Sequence, residues 1–462
     1  MLLLAEWTEA QSSGATQMAA GVTRQSDMAD DPRDAQSNAH FEHMFDPWLN
    51  CSHRFVEVIC DNLIFNWEHL EGPRQRRLRE ADRRNRDAII RAVASNLAFA
   101  VAMGIEPPTI GISLRAGKQK KTRYDREGFT GLPRVVDLLG ERSGVRLLSL
   151  TKSTRKGFSS SITAGADFLD GLQKFKFKAD DFYQLPGREI IWLSRTDRDF
   201  AGNVEGRELI DYSDTPQTER FRDELGRIND LLTAADIRLE EASPRPTPTR
   251  LRSLRRVFNL PPDVPEGVER FDLGGRLFGG WWQDLPAERR QAIRIEGEAV
   301  ADLDFASMFL RLAYVEAGEA PPDGDLYAVG AGLSDPRWRP GVKKVASAML
   351  FRRSPLTRMP RGTRGLLPAG LSASDLRSAI RAAHPKLGGV FETGIGLRLM
   401  FRESEVLMAA LLALAAEDTP ALPMHDGLMV ARSKADRAAN IMGEAAVTIT
   451  GHRLPISLKT LY

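Results

Sequence analysis

Two apolar runs far apart in the chain each deliver an aspartate to the end of a strand. In Glu298-Ala299-Val300-Ala301-Asp302-Leu303-Asp304-Phe305, alternation of period two predicts a strand ending at Asp304, with a helix from Ser307 to Ala317 behind it. In Leu422-Pro423-Met424-His425-Asp426-Gly427-Leu428-Met429-Val430, a His-Asp-Gly turn between apolar flanks predicts a hairpin with Asp426 at its tip. A helix from Lys434 to Glu444 follows it. Singly, each has a plain structural reading: an aspartate after a strand commonly caps a helix, and His-Asp-Gly is commonly only a turn. Together they offer two carboxylates at the ends of neighbouring strands. That is the least a protein must supply for phosphoryl transfer with two divalent ions, because Mg²⁺ takes one or two carboxylates and completes its shell with substrate phosphate oxygens.

The rest of the chain is read around that pair. At 462 residues it predicts two or three domains. The 64 basic and 62 acidic residues leave a net charge of +2, which names no partner, but their placement says more. Basic clusters precede residue 260: Arg74 to Arg77, Arg83 to Arg86, Lys118 to Lys121 and Arg250 to Arg256. Each suits phosphate contacts or a solvated helix face, and the first, in a helix rich in both signs, is read as a solvated face. Cys51 and Cys60 cannot make a disulfide framework, the first residues lack a signal-peptide pattern, and no run is long enough to span a bilayer. The expectation is a cytoplasmic protein without membrane contact.

Residues 1–40 carry no helical or strand period and read as a disordered tail. Residues 41–104 read as a helical hairpin, on the spacing of Phe55, Val58, Ile59 and Leu63 and of Ile89, Ile90, Val93 and Leu97. Over 105–241 a helix at Leu132 to Leu139 is followed by a strand at Val145 to Leu150, a basic tip from Thr151 to Ser160, and a second strand-like run at Glu189 to Leu193. This order is winged-helix-like, with the helix in a groove and the wing on the backbone. Another helix is expected over 216–240, then a Pro/Thr linker at 242–250, and a last domain over 251–462.

Beyond the linker the chain resembles the family A DNA polymerases, typified by bacterial DNA polymerase I. Gly275-Arg276-Leu277 is similar to the family's Thr-Gly-Arg segment, with Gly274 in place of the threonine, and Gln283-Asp284-Leu285-Pro286 to its Gln-Asn-Ile-Pro element. Arg290 and Ile293 stand where the family has an arginine and an apolar residue before the first palm strand. Asp304-Phe305-Ala306-Ser307-Met308-Phe309-Leu310-Arg311 resembles motif A, Asp325-Leu326-Tyr327 the Asp-Ile-His after it, and Met424-His425-Asp426-Gly427 motif C. The resemblance covers residues 273–462. It implies an α+β chain: an N-terminal helical and winged-helix-like region, then a palm of antiparallel sheet and helices with small helical fingers. It implies two Mg²⁺ ions on Asp304 and Asp426, with Arg276, Gln283, Arg290 and His425 positioning the primer end or template. The implied partners are a DNA primer–template, with RNA as the other possible template, and nucleoside triphosphates.

The departures define what else to expect. Motif B, Arg-x3-Lys-x3-aromatic, is met by Arg339 and Lys343, with Lys344 as rival for the lysine, but Ser347 stands at the aromatic position and Phe351 one turn later. Pro340 and Gly341 argue against an unbroken helix before Val342. Phe309 replaces the glutamate that helps exclude a ribose 2′-hydroxyl, and Gly427 replaces a third acidic residue. On a helix from Arg398 to Ala415, Glu403 and Glu405 are read as solvated or paired with Arg398 and Arg402. Trp281 and Trp282 are read as core. The activity implied is template-dependent DNA synthesis. Its rivals are a DNA-binding replication or regulatory protein with an inactive palm, and an RNA-synthesising primase.

Overall fold

The computed structural model describes residues 41, 43–72, 78–114, 121–142, 147–154, 159–175, 177–198, 204–240, 246–330, 332–363 and 365–461. Expectations for the tail at 1–40, for Arg74 to Arg77, and for 242–245 of the linker lie outside them, as do Lys118 to Lys120. The described chain divides into two compact α+β units, residues 41–189 with 246–251 and residues 190–240 with 252–461.

In the first unit β1 (Leu49–Cys51) leads into α1 (Arg54–Phe65), α2 (Trp67–Glu71) and α3 (Glu80–Ala102). His53 caps α1 by accepting the Phe55 amide, and Glu80 and Asp82 complement the positive end of α3. From Ile89 to Ala100 the α3 helix is buried nearly all round, so its apolar stripe widens into the centre of the unit's core. Asn96, fully buried there, bonds the Asp46 backbone and the Ala92 carbonyl. β2 (Thr109–Ile112), α4 (Leu132–Asp137), β3 (Leu148–Thr151), β4 (Ser160–Ala164), α5 (Ala166–Lys174) and β5 (Phe182–Gln184) complete the unit. β4 lies between β2 and β3, antiparallel to both, and β5 pairs with β1.

Three sequence expectations change here. The hairpin that begins at β3 closes with Ser160–Ala164, not with the run at Glu189 to Leu193; from Ile190 on, that run belongs to the second unit. The region 105–241 is thereby divided between the two units. The end of the Pro/Thr stretch is held in the first: Thr249 Oγ1 donates to Asp180 Oδ1 at 2.7 Å and Arg250 to the Asp180 carbonyl.

The second unit opens with β6 (Ile191–Arg198), β7 (Val204–Leu209), α6 (Pro216–Ala234), β8 (Ile237–Leu239), β9 (Arg255–Leu260) and β10 (Gly274–Phe278). α6 starts at the Thr215 cap with proline at its first position and stops at Ala235. The helix expected over 216–240 therefore ends early, and Ile237–Leu239 becomes an edge strand. β6 runs parallel to β9 and antiparallel to β7, with β10 on the far side of β9. From Arg252 on, the basic run that begins at Arg250 folds inward. Arg252 donates to the Thr233 and Ala235 carbonyls at the end of α6, Arg255 lies over the Trp192 ring, and Arg256 is fully buried.

Next come α7 (Ala287–Arg290), β11 (Ile293–Ile295), β12 (Glu298–Phe305), α8 (Met308–Glu316), α9 (Arg339–Phe351), α10 (Ala373–Ala383), α11 (Gly396–Ala416), β13 (Ala421–Met424), β14 (Gly427–Ala431), α12 (Ala435–Thr450) and β15 (Ile456–Leu461). β12 is the centre of an antiparallel sheet, with the β13–β14 hairpin on one side, β15 on the other, and β11 leading on to β8. α11 and α12 pack against each other, and α11 also covers β10 and α8. α9 is unbroken from Arg339, against expectation: proline in the first turn loses no internal hydrogen bond, and a Cβ on Gly341 would lie 2.3 Å from the Leu366 carbonyl oxygen. Trp282 is fully buried and donates to the Pro423 carbonyl, so the tryptophan pair is core, as read from the sequence. Among the described residues no helix is long and apolar enough to cross a membrane.

Candidate active site

The pairing of β12 with β14 sets Asp304 opposite Gly427, one residue past Asp426. Asp426 sits at the hairpin turn, where His425 takes a left-handed φ of 55°. The two carboxyl groups interact as close like charges. Burial and then Asp426 push Asp304 up to about 7. Burial also disfavours ionised Asp426, but Lys343, Arg276 and Lys459 outweigh it and hold this carboxyl below its ordinary value. The two carboxyls therefore titrate as one coupled pair, with burial and mutual repulsion disfavouring the doubly ionised form. Asp304 Oδ1 is buried and meets no other donor.

That oxygen, facing a second carboxylate, fits a bound divalent cation. Among the described residues no group of three or more His, Cys, Asp or Glu side chains converges. A two-carboxylate site suits Mg²⁺, which keeps water and phosphate oxygens for its remaining positions.

The site holds more charge than the sequence revealed. Asp302, two residues back on the same face of β12, is buried and raised by desolvation, against the pull of Lys459 and Arg290. Lys459, on β15, reaches Asp304 Oδ2 at 2.6 Å. Glu403 is 1% exposed and pairs with Arg276 at 2.6 Å, so it is neither solvated nor paired with Arg398 or Arg402. Burial outweighs that partner and pushes Glu403 up to about 7. Both Arg398 and Arg402 instead pair with Glu316. Glu405 pairs with buried Arg256, whose guanidinium lies among the rings of Phe221, Phe258 and Phe401 and also donates to the Gly275 carbonyl. The signal available for these pairs was the two acidic residues, Glu403 and Glu405, just before the wholly apolar stretch of α11. For Lys459 it was one charge in the terminal run Ile456 to Leu461.

The remaining candidates divide. Arg276 lies 5.4 Å over the Phe309 ring, which stacks on Phe351 at 5.8 Å. Lys343 acts on both Asp426 and Glu403, whereas Lys344 turns to the Gly362 carbonyl, so of the two lysines only Lys343 faces the carboxylates. Arg339 pairs with Asp325 at 2.7 Å and lies over the buried Tyr327 ring. Gln283 is consumed structurally: its amide donates to the Leu277 and Pro423 carbonyls and accepts from the Gly280 amide, tying β10 to β13. Arg290 donates to the Leu285 carbonyl and adds positive charge near Asp302 and His425. Burial, then Arg276, lowers His425 to about 4, so its ring is neutral at pH 7.

In comparisons with protein-family models and with curated protein sequences, the chain found no match.

Proposed function

We propose that the second unit is a polymerase-type palm that extends a nucleic-acid 3′ end on a template, with DNA synthesis as its activity. The observation that carries this reading is the meeting of Asp304, near the end of β12, with Asp426, at the turn of the adjacent β13–β14 hairpin, in a buried pair with one unpartnered oxygen. In the reaction the 3′-hydroxyl oxygen bonds to the α-phosphorus and gives up its proton, the bond to the β-phosphate breaks, and pyrophosphate leaves. Mg²⁺ held by Asp304 and Asp426 would lower the barrier by neutralising phosphate charge and favouring the ionised hydroxyl. Lys343 and Arg339 bind the triphosphate; for Arg339 this means exchanging Asp325 for phosphate. Arg276, fixed by Glu403, orients the primer end, and the Phe309 ring fills the space beside the sugar. α9 and α10 form the small fingers. The first unit, through the β3–β4 hairpin and α4, would grip nucleic acid in a winged-helix-like manner.

One observation favours the rival reading of an inactive, DNA-binding palm: an ammonium, that of Lys459, already sits on Asp304. Extension of a labelled primer–template with Mg²⁺ separates the two, using dNTPs and rNTPs in parallel beside Asp304→Ala and Asp426→Ala. Extension lost in both variants supports the polymerase and identifies its sugar. DNA binding without extension, unchanged in both variants, supports the inactive palm.

A further inference from the structure

The β12–β15 ladder is irregular at one place. Asp304 lies opposite Ser457 and Leu303 opposite Leu458, but Asp302 lies opposite Thr460. Lys459 is therefore the extra residue of a β-bulge, without a partner on β12. Bulges recur beside active sites because the inserted residue re-aims a side chain. Here the aim is specific: the ammonium contacts Asp304 Oδ2 at 2.6 Å, and its charge also acts on Asp302 and Asp426. The Asp304 side chain is 12% exposed and cannot leave, while that of Lys459 is 53% exposed. The lysine's four-carbon stem is free to swing into solvent.

We propose that Lys459 is a tethered counter-ion of the Asp304–Asp426 pair, holding the carboxylates together without metal and being displaced when a divalent cation binds. This rests on the reading of that pair as a cation site. Two carboxylates pressed together in a buried setting repel unless a positive charge or a proton lies between them. A lysine on a bulge supplies that charge during folding, when no nucleotide is present to complete a Mg²⁺ shell. The consequence is competition. A divalent ion must displace the ammonium from Asp304 Oδ2, so metal affinity is set below what the carboxylates alone would give, and loading is tied to the arrival of nucleotide phosphates.

The test is Mn²⁺ binding alone, followed by the electron paramagnetic resonance of free Mn²⁺, on the full chain and on Lys459→Met, Lys459→Arg and Asp426→Asn. Melting is recorded with and without Mn²⁺. Lys459→Met is expected to bind Mn²⁺ about three- to tenfold tighter, the scale of losing one partly exposed competing charge contact. It should also melt lower than wild type without metal and gain more from Mn²⁺. Lys459→Arg, whose guanidinium can hold the carboxylate through two donors, is expected to bind Mn²⁺ more weakly than wild type; this variant carries the test if Lys459→Met does not fold. If Asp426→Asn loses the Mn²⁺ site but neither substitution at 459 changes the affinity, the counter-ion role is overturned and the metal pair stands. If neither wild type nor Lys459→Met binds Mn²⁺, both readings fall together.

Discussion

Gly427 packs against Leu303 so closely that a Cβ at 427 would lie 2.3 Å from the Leu303 carbonyl oxygen and 3.0 Å from Asp304 Oδ1. The contact leaves no room for a side chain between β14 and β12 at that point. It also makes the spacing of the two aspartates a property of the backbone. Gly427→Ala is expected to destabilise by about 1–3 kcal/mol, the range for overpacking a tight contact. It should weaken Mn²⁺ binding as well, because β14 must retreat and carry Asp426 with it. Urea unfolding and a Mn²⁺ titration measure the two effects, and a fully stable variant with intact Mn²⁺ binding would contradict the assigned packing.

The raised carboxyls at Asp304 and Glu403 set a pH dependence. Both titrate at about 7 in the folded, metal-free protein, against about 4 in an unfolded chain. Between those values the folded state holds protons that the unfolded state has released. Their contribution to stability is complete below about pH 4 and is lost as pH rises through about 7. Asp426 and Glu392, both lowered, titrate below that window. The melting temperature in EDTA is expected to fall between about pH 6.5 and pH 8, above the range in which buried His425, lowered to about 4, works in the opposite direction. Asp304→Asn, which has no proton to lose, should flatten that fall and at pH 8 exceed wild type by at least about 1 kcal/mol.

The ion pair under the site should be costly to break and cheap to replace. Arg276→Ala leaves Glu403 buried without its partner and is expected to cost about 3–5 kcal/mol, whereas Arg276→Leu with Glu403→Leu should recover most of that loss. A double-mutant cycle from urea unfolding gives the coupling directly. The double variant is expected to remain inactive in primer extension despite its stability. Full activity would remove Arg276 from the site.

Phe309 tests the sugar contact. Its ring is held between Arg276 and Phe351, so truncation opens space without moving charge. Phe309→Ala is expected to lower the preference for dNTP over rNTP by about 10- to 100-fold, the scale of one steric contact in a selectivity pocket. Ratios of kcat/KM for the two nucleotides report it; an unchanged ratio would remove Phe309 from that role.

Much of the second unit was legible in the sequence because local chemistry wrote it. The alternation in Glu298 to Phe305 gives β12, the His-Asp-Gly turn gives the β13–β14 hairpin, and the apolar spacing after Arg398 gives α11. The N-terminal helices were legible for the same reason. What failed was pairing over distance. Ile190 to Leu193 has the composition of any strand, and nothing in it says that its neighbour is β9 and not β3. Residues 237–239 read as the end of a helix until β11 supplies hydrogen bonds that favour extended chain.

The same division holds at the site. By themselves the residues marked which groups to consider: two aspartates, Arg339 with Lys343 or Lys344 close by in sequence, and an arginine before the first strand of the sheet. Only the tertiary structure decided what each charge meets. It gave Glu403 to Arg276, Glu405 to Arg256, Gln283 to the backbone and Lys459 to Asp304. Charge pairing acts through space and through the dielectric that burial creates. Neither is encoded by spacing along the chain, so the partner of a buried charge becomes visible only once the surrounding strands and helices are in place.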